Sequence, residues 1–138
     1  MVSKTTFTSI GIDIDSISKM KEVIDGVDFS KSCGLLKNVF TEREIAYCTA
    51  KANPAQHFAV RFAGKEALLK ALGTGLREDM LFANIEFLND TNGKPYVCCT
   101  GSVKEELVQQ KVGFINVSFS HSCDNAIAFV LLEKNNVD

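Results

Sequence analysis

The 138-residue chain has no apolar run long enough to cross a bilayer. Its N-terminus carries neither the apolar core nor the cleavage site of a secretion signal. Lysines and arginines never cluster and the formal net charge is −2, so the basic footprint of a nucleic-acid binder is missing and any anion site must be local. The five cysteines (Cys33, Cys48, Cys98, Cys99 and Cys123) are odd in number, two are adjacent, and none forms a CxxC pair. That pattern excludes a zinc spacing and a regular disulfide framework. No internal repeat or low-complexity segment is present. The expectation is a reduced, cytoplasmic protein without nucleic-acid or membrane partners, its cysteines packed mostly as small hydrophobes.

What is present suits one globular domain over residues 1–138 with a real core: 46% of residues are hydrophobic and 23% charged. The most informative stretch runs from Arg61 to Gly75, RFAGKEALLKALGTG. At helical spacing Arg61 and Lys65 form one charged row, and Glu66 and Lys70 a second. Apolar residues surround both rows, leaving no broad polar face of the kind a surface helix has. A half-buried charge needs a partner, a metal or a charged ligand, and cations with one carboxylate ahead of Gly-Thr-Gly suit a magnesium-bound phosphate ester. The plainer alternative is a Glu66–Lys70 surface ion pair, with Arg61 and Lys65 keeping their heads in water.

Around this helix the chain reads in order. Phe7–Ile14 alternates as a strand ending near Asp13 and Asp15, where Asp13 is either a functional carboxylate or a strand-end or helix-capping residue. Ser16–Asp25 has helical spacing, with Asp15 or Ser16 as cap. A short helix is expected over Phe29–Leu36. Thr41 and Glu44 fit a capping box. Asn53-Pro54 opens the central helix, which ends near Leu72 with Gly73 at its stop, roughly 28 Å long at the standard rise. Asn84–Leu88 and Pro95–Cys99 form a hairpin across Asn89–Gly93. Gly101–Gln110 is a helix with Ser102 as cap. Phe114–Ser120 and Ala126–Leu132 are strands joined by a turn over His121–Asn125. This order predicts an α+β fold, a mainly antiparallel sheet packed against a long central helix.

Four pieces in this order, GIDI at 11–14, RFAGKEALLKALGTG at 61–75, NGKP at 92–95 and SHS at 120–122, resemble one family: the holo-[acyl-carrier-protein] synthases, the small 4′-phosphopantetheinyl transferases. The resemblance covers roughly Gly11 to Leu132. It implies that family's fold and transfer of the 4′-phosphopantetheine arm of coenzyme A to a serine of an apo acyl carrier protein, with Mg²⁺ required and adenosine 3′,5′-bisphosphate released. By motif match Asp13 and Glu66 are the metal ligands, and Glu66 or a metal-held water takes the serine proton. Lys70 neutralises the diphosphate, while Arg61, Lys65 and His121 lie around the coenzyme A phosphates. Gly73, Thr74 and Gly75 let the backbone approach the nucleotide, and Gly93, Lys94 and Pro95 border it. The resemblance further implies a homotrimer with shared sites, and Lys19 and Lys21 of the first helix as carrier-docking residues.

Two features depart from the family pattern. Ser122 stands where an acidic residue often follows the histidine, and the first helix mixes its lysines with Glu22, Asp25 and Asp28. Two rival readings are a non-catalytic coenzyme A or carrier-protein binding module of the same fold, and an unrelated magnesium-dependent nucleotide phosphohydrolase.

Overall fold

The computed structural model describes residues 6–31 and 34–135. The N-terminal alternation becomes β1, Thr6–Ser16. Ser16 ends the strand and caps α1, Ile17–Asp25, accepting from the Lys19 amide at 3.2 Å. A distant residue completes this cap. Asp124 accepts from the Ser18 amide at 2.7 Å and from the Ser16 and Ser18 hydroxyls at 2.7 and 2.9 Å. These bonds hold its carboxyl below the usual carboxylate range.

Where a short helix is expected over Phe29–Leu36, the chain instead makes a 3₁₀ turn at Gly34–Asn38, and Ser32 and Cys33 lie outside the described residues. The capping box forms as read and opens α2, Glu42–Thr49: the Glu44 amide donates to Thr41 Oγ1 at 3.3 Å and the Thr41 amide to Glu44 Oε1 at 3.0 Å. The central helix α3 runs Pro54–Leu72, with Pro at its first position, although the Asn53 side chain makes no capping bond. Gly73 stops it in the left-handed region (φ +78°), donating to the Leu69 and Lys70 carbonyls, a conformation cheap only for glycine.

Strands β2, Ile85–Asn89, and β3, Pro95–Cys99, pair as the expected hairpin. Helix α4, Gly101–Gln109, starts two residues earlier than the Ser102 cap implies, and Thr100 precedes it without a side-chain cap bond. β4, Val112–Ser122, and β5, Asn125–Asn135, are joined by Cys123 and Asp124 alone. The turn expected over His121–Asn125 is therefore shorter, and His121 is a strand residue paired with Ala126.

Every strand pairing is antiparallel, in the order β1-β5-β4 and β2-β3. The α+β reading with a long central helix therefore holds. Thirteen of the 19 residues of α3 are buried, because the three-stranded sheet covers one side and α1, α2 and β2 pack on others. Each fully buried Phe or Leu in this core contributes about 1.5–3 kcal/mol. The helix crosses β1 so closely at Gly11 that a Cβ there would overlap the Ala67 carbonyl oxygen. That contact sets β1 against α3 two residues before Asp13.

Cys48 is fully buried and Cys98 and Cys99 are half-buried. Burial pushes the Cys48 and Cys99 thiols up to about 12. Cys123 departs from the expected packing and sits exposed in the β4–β5 turn, and Cys33 lies outside the described residues. No helix among the described residues is long and apolar enough to cross a membrane.

Candidate active site

β1 alternates its side chains between two faces. Ile10, Ile12 and Ile14 face outward, each more than half exposed, while Gly11, Asp13 and Asp15 take the helix side. The second charged row of α3 meets them there. Asp13, Asp15 and Glu66 each bring a carboxylate oxygen to within 4.8 Å of the others. Lys70 lies beside them, its ammonium 2.7 Å from Asp13 Oδ1 and 3.2 Å from the Ile12 carbonyl oxygen. The surface-pair alternative therefore fails: Lys70 is bonded to β1.

Three carboxylates this close resist ionising together. Burial first, with the neighbouring Asp15 and Asp13 carboxylates adding to it, pushes Glu66 up to about 9. Burial also raises Asp15. The Asp13 partner raises Lys70, which stays a cation. Asp15 Oδ2 and Glu66 Oε1 are buried without a hydrogen-bond partner. Unbonded buried acceptors are expensive, and a set of carboxylate oxygens is what a hard divalent cation takes as ligands.

Two clefts flank α3. One of about 390 Å³ is lined by Glu66, Lys70, Gly73, Gly75, Leu76 and Phe82. Thr74 adjoins it, its hydroxyl donating to the Gly75 carbonyl at 2.8 Å. The other, about 430 Å³, gathers Arg61, Gly93, Lys94, Pro95 and His121, with His57 and Tyr47 beside them. Arg61 is nearly buried: its guanidinium lies 4.3 Å from the Tyr47 ring centre and donates to Asn89 Oδ1 at 2.6 Å. Burial and the nearby Arg61 charge lower the His57 pKa.

Lys65 departs from the reading that set it around phosphates. Its side chain is fully enclosed, and its ammonium is spent on Glu44 Oε1 at 2.8 Å and on the Phe82 and Ile85 carbonyls. Burial holds this ammonium below its usual range. The first charged row thus divides between a cleft-lining arginine and a core lysine. Lys19 and Lys21 lie exposed on α1, Lys21 paired with Asp25 at 2.8 Å.

Residues 9–130 match the family described as the 4′-phosphopantetheinyl transferase superfamily. The chain belongs to that superfamily. Among relatives, the holo-[acyl-carrier-protein] synthase of Geotalea daltonii is 43% identical over 90% of this chain and 96% of its own. The synthase of Cytophaga hutchinsonii is 43% identical over 91% and 97%. The crystal structure of the Neisseria meningitidis synthase superposes with a TM-score of 0.78 at 30% identity, covering 91% and 98% of the two chains. That of Helicobacter pylori, solved with coenzyme A, gives 0.73 at 28% identity over 89% and 98%.

As a phosphopantetheinyl transferase of the holo-[acyl-carrier-protein] synthase type, the chain is not the unrelated phosphohydrolase. The residue missed by sequence reading is Asp15, taken only as a possible cap. Its signal was present: Asp13 and Asp15 are two apart on a strand, and such residues share a face.

Proposed function

We propose that this chain moves the 4′-phosphopantetheine arm of coenzyme A onto a serine hydroxyl of an apo acyl carrier protein, with Mg²⁺ held by Asp13 and Glu66. Adenosine 3′,5′-bisphosphate leaves. The observation that carries the reading is the meeting of Asp13, Glu66 and Lys70 at the rim of a cleft in a chain of this family. The carboxylate donors, two of them with unbonded buried oxygens, fit a hard cation. Bound there, Mg²⁺ would stabilise negative charge on the diphosphate oxygens as phosphorus is attacked.

The serine oxygen bonds to the phosphorus that carries pantetheine, and the bond from that phosphorus to the bridging oxygen breaks. Glu66 is the chain's own acceptor for the serine proton, and Lys70 faces the diphosphate. Arg61, Lys94 and His121, gathered in one cleft, take the nucleotide phosphates. Gly93 and Pro95 shape its wall, and Gly73, Thr74 and Gly75 bring the backbone close to the ligand. Lys19 and Lys21 dock the acidic carrier. The exposed Lys21–Asp25 pair is weak enough to be exchanged for a carrier carboxylate.

Arg61 and Glu66 are five residues apart, about 140° around α3, so the two clefts open on different sides of one helix. A coenzyme A that uses both therefore runs between chains. Ile10, Ile12, Ile14 and Phe129 form an exposed apolar sheet face that a second copy would cover. The assembly is a homotrimer, the number following the family resemblance. In it Asp13 and Glu66 of one chain face Lys94 and His121 of the next.

The test mixes the protein with coenzyme A, Mg²⁺ and an apo acyl carrier protein, and weighs the carrier by mass spectrometry. A mass gain of one phosphopantetheine per carrier serine is expected, with none when EDTA is present. An unmodified carrier that nonetheless binds would leave only the non-catalytic binding module.

A further inference from the structure

We infer that Asn89 is a positioning residue for coenzyme A: its side-chain amide ties Arg61 of α3 to the turn that carries Lys94, and so sets two cations of the nucleotide cleft at one spacing. The inference rests on the reading of that cleft as the site of the nucleotide phosphates, and it adds a residue that acts through Arg61.

Asn89 ends β2 and lines the cleft. Its Oδ1 accepts from Arg61 Nη2 at 2.6 Å, and its Nδ2 donates to the Gly93 carbonyl at 3.0 Å. Lys94 follows Gly93 directly and lines the same cleft. The turn itself does not depend on Asn89. Asp90 closes it, its carboxylate accepting from the Asn92 and Lys94 amides at 2.8 and 2.9 Å and its own amide donating to the Lys94 carbonyl at 2.9 Å. An asparagine serving only the hairpin would leave its oxygen to water or to its own turn. Here the oxygen is spent on a helix residue 28 positions away.

The state of Arg61 explains why the tie is an amide. Arg61 is 2% exposed, yet among the described residues no carboxylate pairs with it. Its partners are the Asn89 oxygen, the His57 carbonyl at 3.3 Å and the Tyr47 ring, and its Nε is buried with no hydrogen-bond partner. A buried cation without a counter-charge favours an anion beside it. An aspartate at position 89 would hold the guanidinium but cancel the charge that a phosphate needs. A neutral amide orients the guanidinium and leaves its charge to the ligand. With the other end of the amide on the turn, both cations are set in advance, and less binding energy goes into ordering side chains.

The test measures coenzyme A affinity of the full chain by calorimetry, and KM and kcat with an apo carrier protein, while thermal melting follows the folding of each variant. In Asn89→Ala the Kd and KM for coenzyme A should rise roughly tenfold. kcat should change far less, since Asp13, Glu66 and Lys70 are untouched. Asn89→Asp should weaken binding at least as much, although it still reaches Arg61, because it supplies the counter-charge. In an Arg61→Met background, Asn89→Ala should cost less than about twofold more. Wild-type affinity in a folded Asn89→Ala or Asn89→Asp overturns the inference. So does the same loss with and without Arg61, which makes Asn89 a hairpin residue alone. Wild-type affinity in a folded Arg61→Met defeats the nucleotide reading of the cleft, and the inference with it. A wild-type crystal structure with coenzyme A needs no variant. It should show a phosphate on the Arg61 guanidinium with both Asn89 bonds kept, and an Arg61 that leaves Asn89 to reach the phosphate would overturn the inference.

Discussion

Lys65 Nζ lies 2.8 Å from Glu44 Oε1 with both side chains fully buried. Glu44 also accepts the Thr41 and Phe87 amides, so one carboxylate closes the α2 capping box, binds the middle of β2 and neutralises a core lysine. Removing one member strands the other charge. Lys65→Met and Glu44→Gln are each expected to lose about 3–5 kcal/mol in urea unfolding, with much of the loss recovered in Lys65→Met/Glu44→Leu. Folded Lys65→Met should keep its KM for coenzyme A. A raised KM at full folding would return Lys65 to the phosphate site.

The carboxylate cluster makes metal-free stability depend on pH. Glu66 titrates near 4.5 when unfolded and is pushed up to about 9 in the fold, and Asp15 moves in the same direction. The folded state thus holds protons that the unfolded state releases. The stability this provides is complete below about pH 4.5 and is lost as pH rises through about 9. In EDTA, Tm should fall over that window, and Glu66→Gln should flatten the slope. Because a bound cation must displace the proton, the Tm gained on adding Mg²⁺ should grow between about pH 6 and pH 8.5. An equal gain at both ends would contradict this.

Gly11 is where strand and helix touch. In Gly11→Ala the new methyl meets the Ala67 carbonyl and, at 2.9 Å, the Ala71 amide nitrogen, neither able to rotate away. Alanine is the better residue for a strand interior, so a loss of about 1–3 kcal/mol would report the contact rather than propensity. Pushing β1 off α3 also separates Asp13 from Glu66, so kcat should fall along with Tm. An unchanged Tm would mean that the helix shifts at no cost.

Complementation tests the shared site. Glu66→Gln chains mixed with His121→Ala chains, each inactive alone, should regain partial activity once subunits exchange, because some boundaries then carry both intact halves. No recovery despite proven exchange would confine each site to one chain. A monomer by light scattering would remove the trimer altogether.

Much of this fold was legible in the residues. The β1 alternation, the Thr41–Glu44 box, the Pro54 and Gly73 ends of α3 and the β2–β3 turn are local signals, each decided within a few residues. Asp13, Glu66 and Lys70 were also found from motifs, and they do meet. Three features read differently in the sequence and in the fold, for one physical reason. The fate of a charge depends on what surrounds it after folding, and its surroundings come from distant segments. Lys65 is a core residue because Glu44, 21 positions away, reaches it, while Arg61 on the same row opens onto a cleft. Asp15 reads as a cap until Asp124, brought in by the β4–β5 turn, takes part of that task. His121 reads as a turn residue until the pairing of β4 with β5 carries the strand past it. The sequence alone determined the elements and the family, since periodicity, caps and ordered motifs are written along the chain. Which carboxylates share a site, and which lysine is buried rather than free for a ligand, was decided only by the tertiary structure, because desolvation and charge pairing act across space.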